Sequence, residues 1–191
     1  MDSSINNIPD SKGANAYHRD KSFSKLLEFY SGKDMLSKIE SQFIELGEIV
    51  GNQLEDLALT ADKNSPKLSK RARDGSFTNT IEKHPDFIKL EKYAFERFGL
   101  AAMSHRHGVF GIQQALPPIV KYGLTFLFVQ SEFGLCCPLS MTDSLTRTLR
   151  KFGDNKLVDK FIDQLTSQNL DELFQGAMFM TEQHAGSDVG S

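Results

Sequence analysis

The chain closes on Ala177-Met178-Phe179-Met180-Thr181-Glu182-Gln183-His184-Ala185-Gly186-Ser187-Asp188-Val189-Gly190-Ser191, and the reading of this stretch decides the fold. A short apolar run, Phe174 to Met180, follows a polar turn at Ser167 to Glu172 and predicts a strand. The polar and small residues after it predict a ligand loop, because chemistry commonly sits in loops held at the ends of rigid elements. Thr181 and Ser187 offer hydroxyls and backbone N–H groups. Gly186 lets the main chain approach a ligand without a Cβ, and successive N–H groups in such turns form anion-binding nests. The chain ends at Ser191, so the expectation is a site that begins here and is not completed.

Other chemistries fit this stretch less well. Ser187 with His184 and Asp188 invites a hydrolase reading, but Ala185-Gly186-Ser187-Asp188-Val189-Gly190 does not match the G-x-S-x-G elbow. A triad is also assembled from separate segments rather than from neighbours. Neither a G-x-G-x-x-G fingerprint nor a Walker A motif is present.

Working back from the C-terminus, the sequence reads as helices. Met35, Ile39, Phe43, Leu46, Val50, Leu54 and Leu57 recur at helical spacing and predict one long buried stripe. Gly47 and Gly51 lie inside it, each costing about 1 kcal/mol relative to Ala. Two readings stand: tolerated helical glycines, or a smooth groove for a close-packed neighbour. Pro85 suits the first turn of a helix carrying Phe87, Leu90, Tyr93, Ala94 and Phe98. The apolar stretch Val109 to Gln130 is broken at Pro117-Pro118, and its position among helices favours helix for Leu124 to Val129. Thr142 to Phe152 continues helical. Asp154 suits an N-cap for a last helix with Leu157, Val158, Phe161, Ile162 and Leu165 on one face. Residues 61 to 85 read as a long polar connection. Its cluster Lys67, Lys70, Arg71 and Arg73 is either a solvated loop or a contact for phosphate or a partner chain. Residues 1 to 30 read as loosely ordered, apart from a short amphipathic piece around Phe23, Leu26, Leu27 and Tyr30.

Composition narrows the class. The 191 residues carry a net charge of −3, 39% hydrophobic and 25% charged residues. This fits a soluble globular protein with no electrostatic footprint for nucleic acid. No segment approaches the roughly 20 apolar residues of a membrane span, and the polar N-terminus lacks a signal-peptide core. Fifteen Phe and no Trp mark a core built on Phe. Cys136 and Cys137 are adjacent and read as reduced, at least partly buried thiols of a cytoplasmic protein. His105-Arg106-His107 does not converge on one ion if helical, so it reads as structural or surface, and no metal site is assigned. Phe133 to Thr142 reads as an apolar, hydroxyl-tipped loop between two helices, able to line a ligand pocket.

The string Met180-Thr181-Glu182-Gln183-His184-Ala185-Gly186-Ser187-Asp188 resembles the acyl-CoA dehydrogenase signature, roughly [LIVM]-T-E-x-x-[AG]-G-S-D. Gln183 replaces the Pro of most members, a departure shared by the AidB-like branch, and Cys136-Cys137-Pro138-Leu139-Ser140-Met141-Thr142 resembles a segment of that branch. The resemblance runs from about residue 35 onward. It implies a mainly α fold, with a helical N-terminal domain over residues 31–172. Residues 173–191 would then be the first strand of a truncated middle β-barrel domain. It further implies FAD as cofactor, contacted by Met178, Phe179, Met180, Thr181, Gly186 and Ser187, with Ser187 also near an acyl-CoA substrate. The implied reaction is α,β-dehydrogenation of an acyl-CoA thioester, and its base is a Glu of a C-terminal domain. No catalytic residue is therefore assigned here, and Glu182 is not the base. The chain is expected to be an N-terminal fragment that binds FAD weakly or not at all and is inactive alone. The alternative is a non-catalytic helical interaction module, dimerising or pairing with a complementary C-terminal fragment. Nucleic acid and membrane are not expected partners.

Overall fold

Apolar side chains at helical spacing from Met35 to Leu57 build the rod on which the molecule is assembled. In the computed structural model, which describes residues 11–181, 183, 184, 186 and 187, the elements in chain order are α1 (Ala16–Arg19), α2 (Lys21–Ser31), α3 (Lys33–Ile49), α4 (Glu55–Lys63), β1 (Lys67–Arg71), β2 (Phe77–Glu82), α5 (Pro85–Glu91), α6 (Pro118–Phe128), α7 (Cys136–Phe152) and α8 (Asn155–Leu165). A π-helical turn, Val50–Leu54, joins α3 to α4 without a break in helical dihedrals, a second, Lys92–Arg97, continues α5, and a 3-10 turn spans Val109–Gly111. The predicted stripe faces inward: Ile39, Phe43, Leu46 and Leu54 are fully buried. They meet Phe95 and Phe98 from the α5 side and Leu124, Leu127 and Phe128 of α6 in one hydrophobic core. The expected Phe-based core is observed, with Phe43, Phe95, Phe98 and Phe128 among its largest buried side chains.

The two glycines of the stripe form a notch. A Cβ on Gly51 would lie 2.0 Å from the Ala14 carbonyl oxygen, and one on Gly47 2.7 Å from the Tyr17 backbone nitrogen. The close neighbour is the entry to α1, which docks backbone to backbone: Gly13 N–H donates to the Gly51 carbonyl at 2.9 Å. Asn15 caps α1 by accepting from Tyr17 and His18 N–H and donates its amide to the Ile44 carbonyl at 2.8 Å. Tyr17 is thereby buried, its ring 5.6 Å from that of Phe43. The expectation of a loosely ordered N-terminal segment is thus corrected for residues 11–20. Their few apolar groups suffice because the glycine notch lets main-chain hydrogen bonds replace side-chain packing. The amphipathic piece expected around Phe23 to Tyr30 is α2. Residues 1–10 lie outside the described ones.

A second correction concerns residues 61 to 85. Instead of a loop, β1 and β2 pair antiparallel, with Leu68 opposite Ile81 and an irregularity between Ser69 and Arg71. The turn is local chemistry. The Asp74 carboxylate accepts from Ser76 N–H and hydroxyl, Gly75 takes a positive φ, and Ala72 and Ser76 close the ring.

Helix starts follow the sequence. Pro85 and Pro118 occupy first turns, and His84 caps α5 through its ring nitrogen. The Asp154 carboxylate caps α8 by accepting from Leu157 N–H at 2.9 Å. The apolar run Leu124 to Phe128 is helix, within α6. Phe174 to Met180 is irregular rather than strand. A strand exists only through ladder partners, and the only sheet among the described residues is the β1–β2 pair.

Candidate functional site at the α7 face

The first candidate segment, Cys136 to Thr142, is not a loop but the opening of α7. Pro138 falls in the first turn, where its missing N–H costs nothing. Cys136 is partly buried, and Cys137 is exposed rather than buried. The helix turns a polar stripe inward: Thr142, Asp143 and Thr146 are buried alongside Leu139. Thr142 Oγ1 donates to the Pro138 carbonyl at 2.7 Å, which leaves its lone pairs free to accept.

The second segment is tied to that lone pair. Leaving α8, the chain is pinned first by Phe174 N–H on the Gln164 carbonyl, 3.1 Å, and by the Phe161 and Phe174 rings, 6.5 Å apart. Gly176 N–H then donates to Thr142 Oγ1 at 3.0 Å. The approach demands glycine, since a Cβ there would lie 2.4 Å from the Met141 carbonyl oxygen. Beyond Gly176 the predicted cofactor residues emerge into solvent. Met178, Phe179 and Met180 are 61%, 93% and 55% exposed, and Thr181, Gly186 and Ser187 are exposed as well. A Cβ on Gly186 would meet nothing within 4 Å, so no close approach by described protein atoms calls for glycine there. Glu182, Ala185 and Asp188 to Ser191 lie outside the described residues. The exposed stretch thus carries large apolar side chains at Met178 to Met180 and hydroxyls at Thr181 and Ser187. Next to it, Leu145, Leu149, Leu157, Phe161, Leu165 and Phe174 line an apolar groove between α7 and α8. The predicted apolar face of α8 is therefore covered only in part.

Sequence reasoning missed a cluster built on Asp143, the next residue of the buried α7 stripe. Buried Asp143 accepts from His105 Nε2 at 2.8 Å, Lys121 Nζ at 2.8 Å and Arg147 Nε at 3.0 Å. Burial pushes its carboxyl pKa up. The hydrogen bonds from His105, Arg147 and Lys121, with the Lys121 charge, outweigh that and hold it well below the usual carboxylate range. The bond to Asp143 in turn raises Arg147. The signal available in the sequence was Lys121, a lone charge inside an apolar helix. In the His105-Arg106-His107 run, His105 faces Asp143, Arg106 donates to the Thr166 carbonyl, and His107 pairs with the Gln113 carbonyl. The three side chains thus diverge. No group of three or more metal-ligating side chains occurs among the described residues.

A mainly helical body with, among the described residues, one small two-stranded sheet has the fold of an acyl-CoA dehydrogenase N-terminal domain. The chain belongs to the family of the adaptive response protein AidB N-terminal domain, whose model matches residues 6–172. Among curated proteins it is similar to acyl-CoA dehydrogenase family member 11 of Caenorhabditis elegans, 23% identical over 178 residues, covering 92% of this chain and 28% of that protein. Among solved structures it resembles Bd2924 in its apo form (TM-score 0.79, 23% identity, 95% of this chain and 35% of that one). It also resembles C. elegans ACDH-11 in complex with C11-CoA (TM-score 0.77, 21% identity, 95% and 30%). The chain thus spans roughly a third or less of the length of these relatives. No helix among the described residues is long and apolar enough to cross a membrane.

Proposed function

We propose that this chain supplies one wall of the flavin site of an acyl-CoA dehydrogenase-type oxidoreductase acting on an acyl-CoA thioester. The observation that supports the reading is the tie of the chain to α7 at Gly176–Thr142, just ahead of the motif, whose Met178, Phe179, Met180, Thr181 and Ser187 are exposed. The donor set suits FAD. Apolar side chains cover a flavin ring, and the Thr181 and Ser187 hydroxyls serve its polar edge and the pyrophosphate. FAD would accept the hydride, and the protein would orient and bind. Acyl-CoA as ligand draws support from the C11-CoA complex of the relative ACDH-11.

The test is a chimera in which residues 1–191 replace the matching part of ACDH-11, with flavin per polypeptide read from its visible spectrum. Retained flavin, released about ten-fold more readily in Thr181→Ala by loss of one hydrogen bond, supports the reading. A folded chimera that retains no flavin, or retains it unchanged in Thr181→Ala and Ser187→Ala, overturns it.

A further inference from the structure

The cleft between α6 and α7 has a different chemistry from the motif surface. It is lined by Lys121, Tyr122 and Thr125 on one helix and by Leu139, Ser140, Asp143 and Ser144 on the other, with Leu100 beneath. Leu100 and Leu139 give it an apolar floor, each almost fully buried. A low-dielectric wall of this kind strengthens any charge interaction made against it.

The local charge is positive. Asp143 is the one carboxylate lining the cleft, and it is more than matched. Lys121 and Arg147 both pair with it, and His105 adds a further hydrogen bond. Two permanent cations against one anion leave a surplus of one positive charge. Both Asp143 oxygens are occupied, Oδ1 by His105 and Oδ2 by Lys121 and Arg147, so the carboxylate is spent as an acceptor. Lys121, only 5% exposed, uses one of its three N–H donors on Asp143.

The Tyr122 ring lies against the ammonium, 4.3 Å from Lys121 Nζ to its centroid, and the same cleft lining carries four hydroxyls, on Tyr122, Thr125, Ser140 and Ser144. Their one contact with another described side chain is the long 3.8 Å approach of Ser140 Oγ to Cys136 Sγ. Helical Ser and Thr commonly spend the hydroxyl on the carbonyl four residues back, as Thr142 and Thr146 do on the same helix. Ser140 and Ser144 do not. Free donors beside a surplus cation are what a multiply accepting oxyanion recruits.

We propose that this cleft binds a small phosphate-type oxyanion, with Lys121 as the charge partner and Ser140, Ser144, Thr125 and Tyr122 as hydroxyl donors. The site is separate from the flavin-motif residues and stands or falls independently of the flavin reading. Free phosphate and the phosphate of an ester share the recognised chemistry.

Isothermal titration of the full chain with inorganic phosphate, and separately with phenyl phosphate, at constant ionic strength tests it. One saturable site is expected. Ser140→Ala and Ser144→Ala, both at exposed positions, are each expected to weaken it about three- to ten-fold, the range of one hydrogen bond. Lys121→Gln should abolish it, and the serine variants carry the test if that protein does not fold. Tighter phenyl phosphate assigns an ester as the ligand, and equal affinity assigns the free anion. Absence of saturable binding of either probe to the folded wild-type chain overturns the proposal. So does binding that both serine variants leave unchanged.

Discussion

The backbone N–H of Gly176 rests on the hydroxyl of Thr142, 3.0 Å away, while that hydroxyl donates to Pro138. One buried side chain thereby joins the start of the C-terminal motif to α7. Thr142→Val keeps the shape and removes the acceptor, leaving Gly176 N–H without its partner. A loss of about 1–3 kcal/mol is expected in denaturant unfolding, with faster hydrogen exchange at the Gly176 amide. Unchanged exchange there would remove Thr142 from this role.

Gly176→Ala tests the same contact from the other side. Its Cβ would meet backbone atoms of Met141 and Thr142 rather than the end of a yielding side chain. The expected outcome is a displaced 174–181 segment, seen as new proteolytic cleavage there, with the helical body intact and a cost of about 1–3 kcal/mol. Cleavage kinetics like those of wild type would contradict it.

The notch in the long rod makes a similar demand. Gly51→Ala would drive a Cβ into the Ala14 carbonyl, so residues 13–17 should lift off α3. Tyr17 would then become accessible, as measured by tyrosine fluorescence quenching. An Ala variant that quenches like wild type and unfolds at the same denaturant concentration would show that the notch yields.

Tyr17 also sets an alkaline limit. Its phenol is pushed up to about 12 by burial first, then by the charge of Glu40 and the hydrogen bond to it. A raised folded-state pKa gives stability that is full below the unfolded value near 10 and lost as pH rises through the folded one. Absorbance titration should show one of the four tyrosines ionising late. In Tyr17→Phe the late component should vanish.

Asp143 sets the acid limit. Its folded-state pKa is depressed, so its contribution is present above the unfolded value of about 3.9 and fades as pH falls below it. Asp143→Asn should lose about 3–5 kcal/mol at neutral pH, since it strands the buried Lys121, and should flatten the acid limb of the stability curve. A steep acid limb retained in the variant would assign it to other carboxylates.

Regular patterning was legible and irregular support was not. The stripe from Met35 to Leu57 declares its helix because seven apolar residues obey one period, Pro85 and Asp154 declare helix starts through backbone chemistry, and Pro117-Pro118 declares a break at which α6 in fact begins. The hairpin was missed because strands exposed on nearly every position show no hydrophobic alternation, leaving only the Asp74-Gly75 turn as a signal. The order of residues 11–20 was missed because main chain at a glycine notch supplies it. At the candidate site the motif is visible as a string, whereas its tie from Thr142 to Gly176 spans 34 positions. The Asp143 cluster gathers residues from three separate segments, and no local pattern announces that.

The hairpin also gives the basic cluster of the sequence a different meaning. A two-stranded ribbon has two open edges, each a template on which a foreign strand can grow. Here Lys67, Lys70 and Arg71 stand along β1, and the register slips between Ser69 and Arg71. Like charges on a would-be partner ribbon repel, and the irregularity spoils the flat edge that pairing needs. Lys67, Lys70 and Arg71 thus set charge and irregularity against edge pairing on a ribbon that carries exposed Leu68, Phe77 and Ile81.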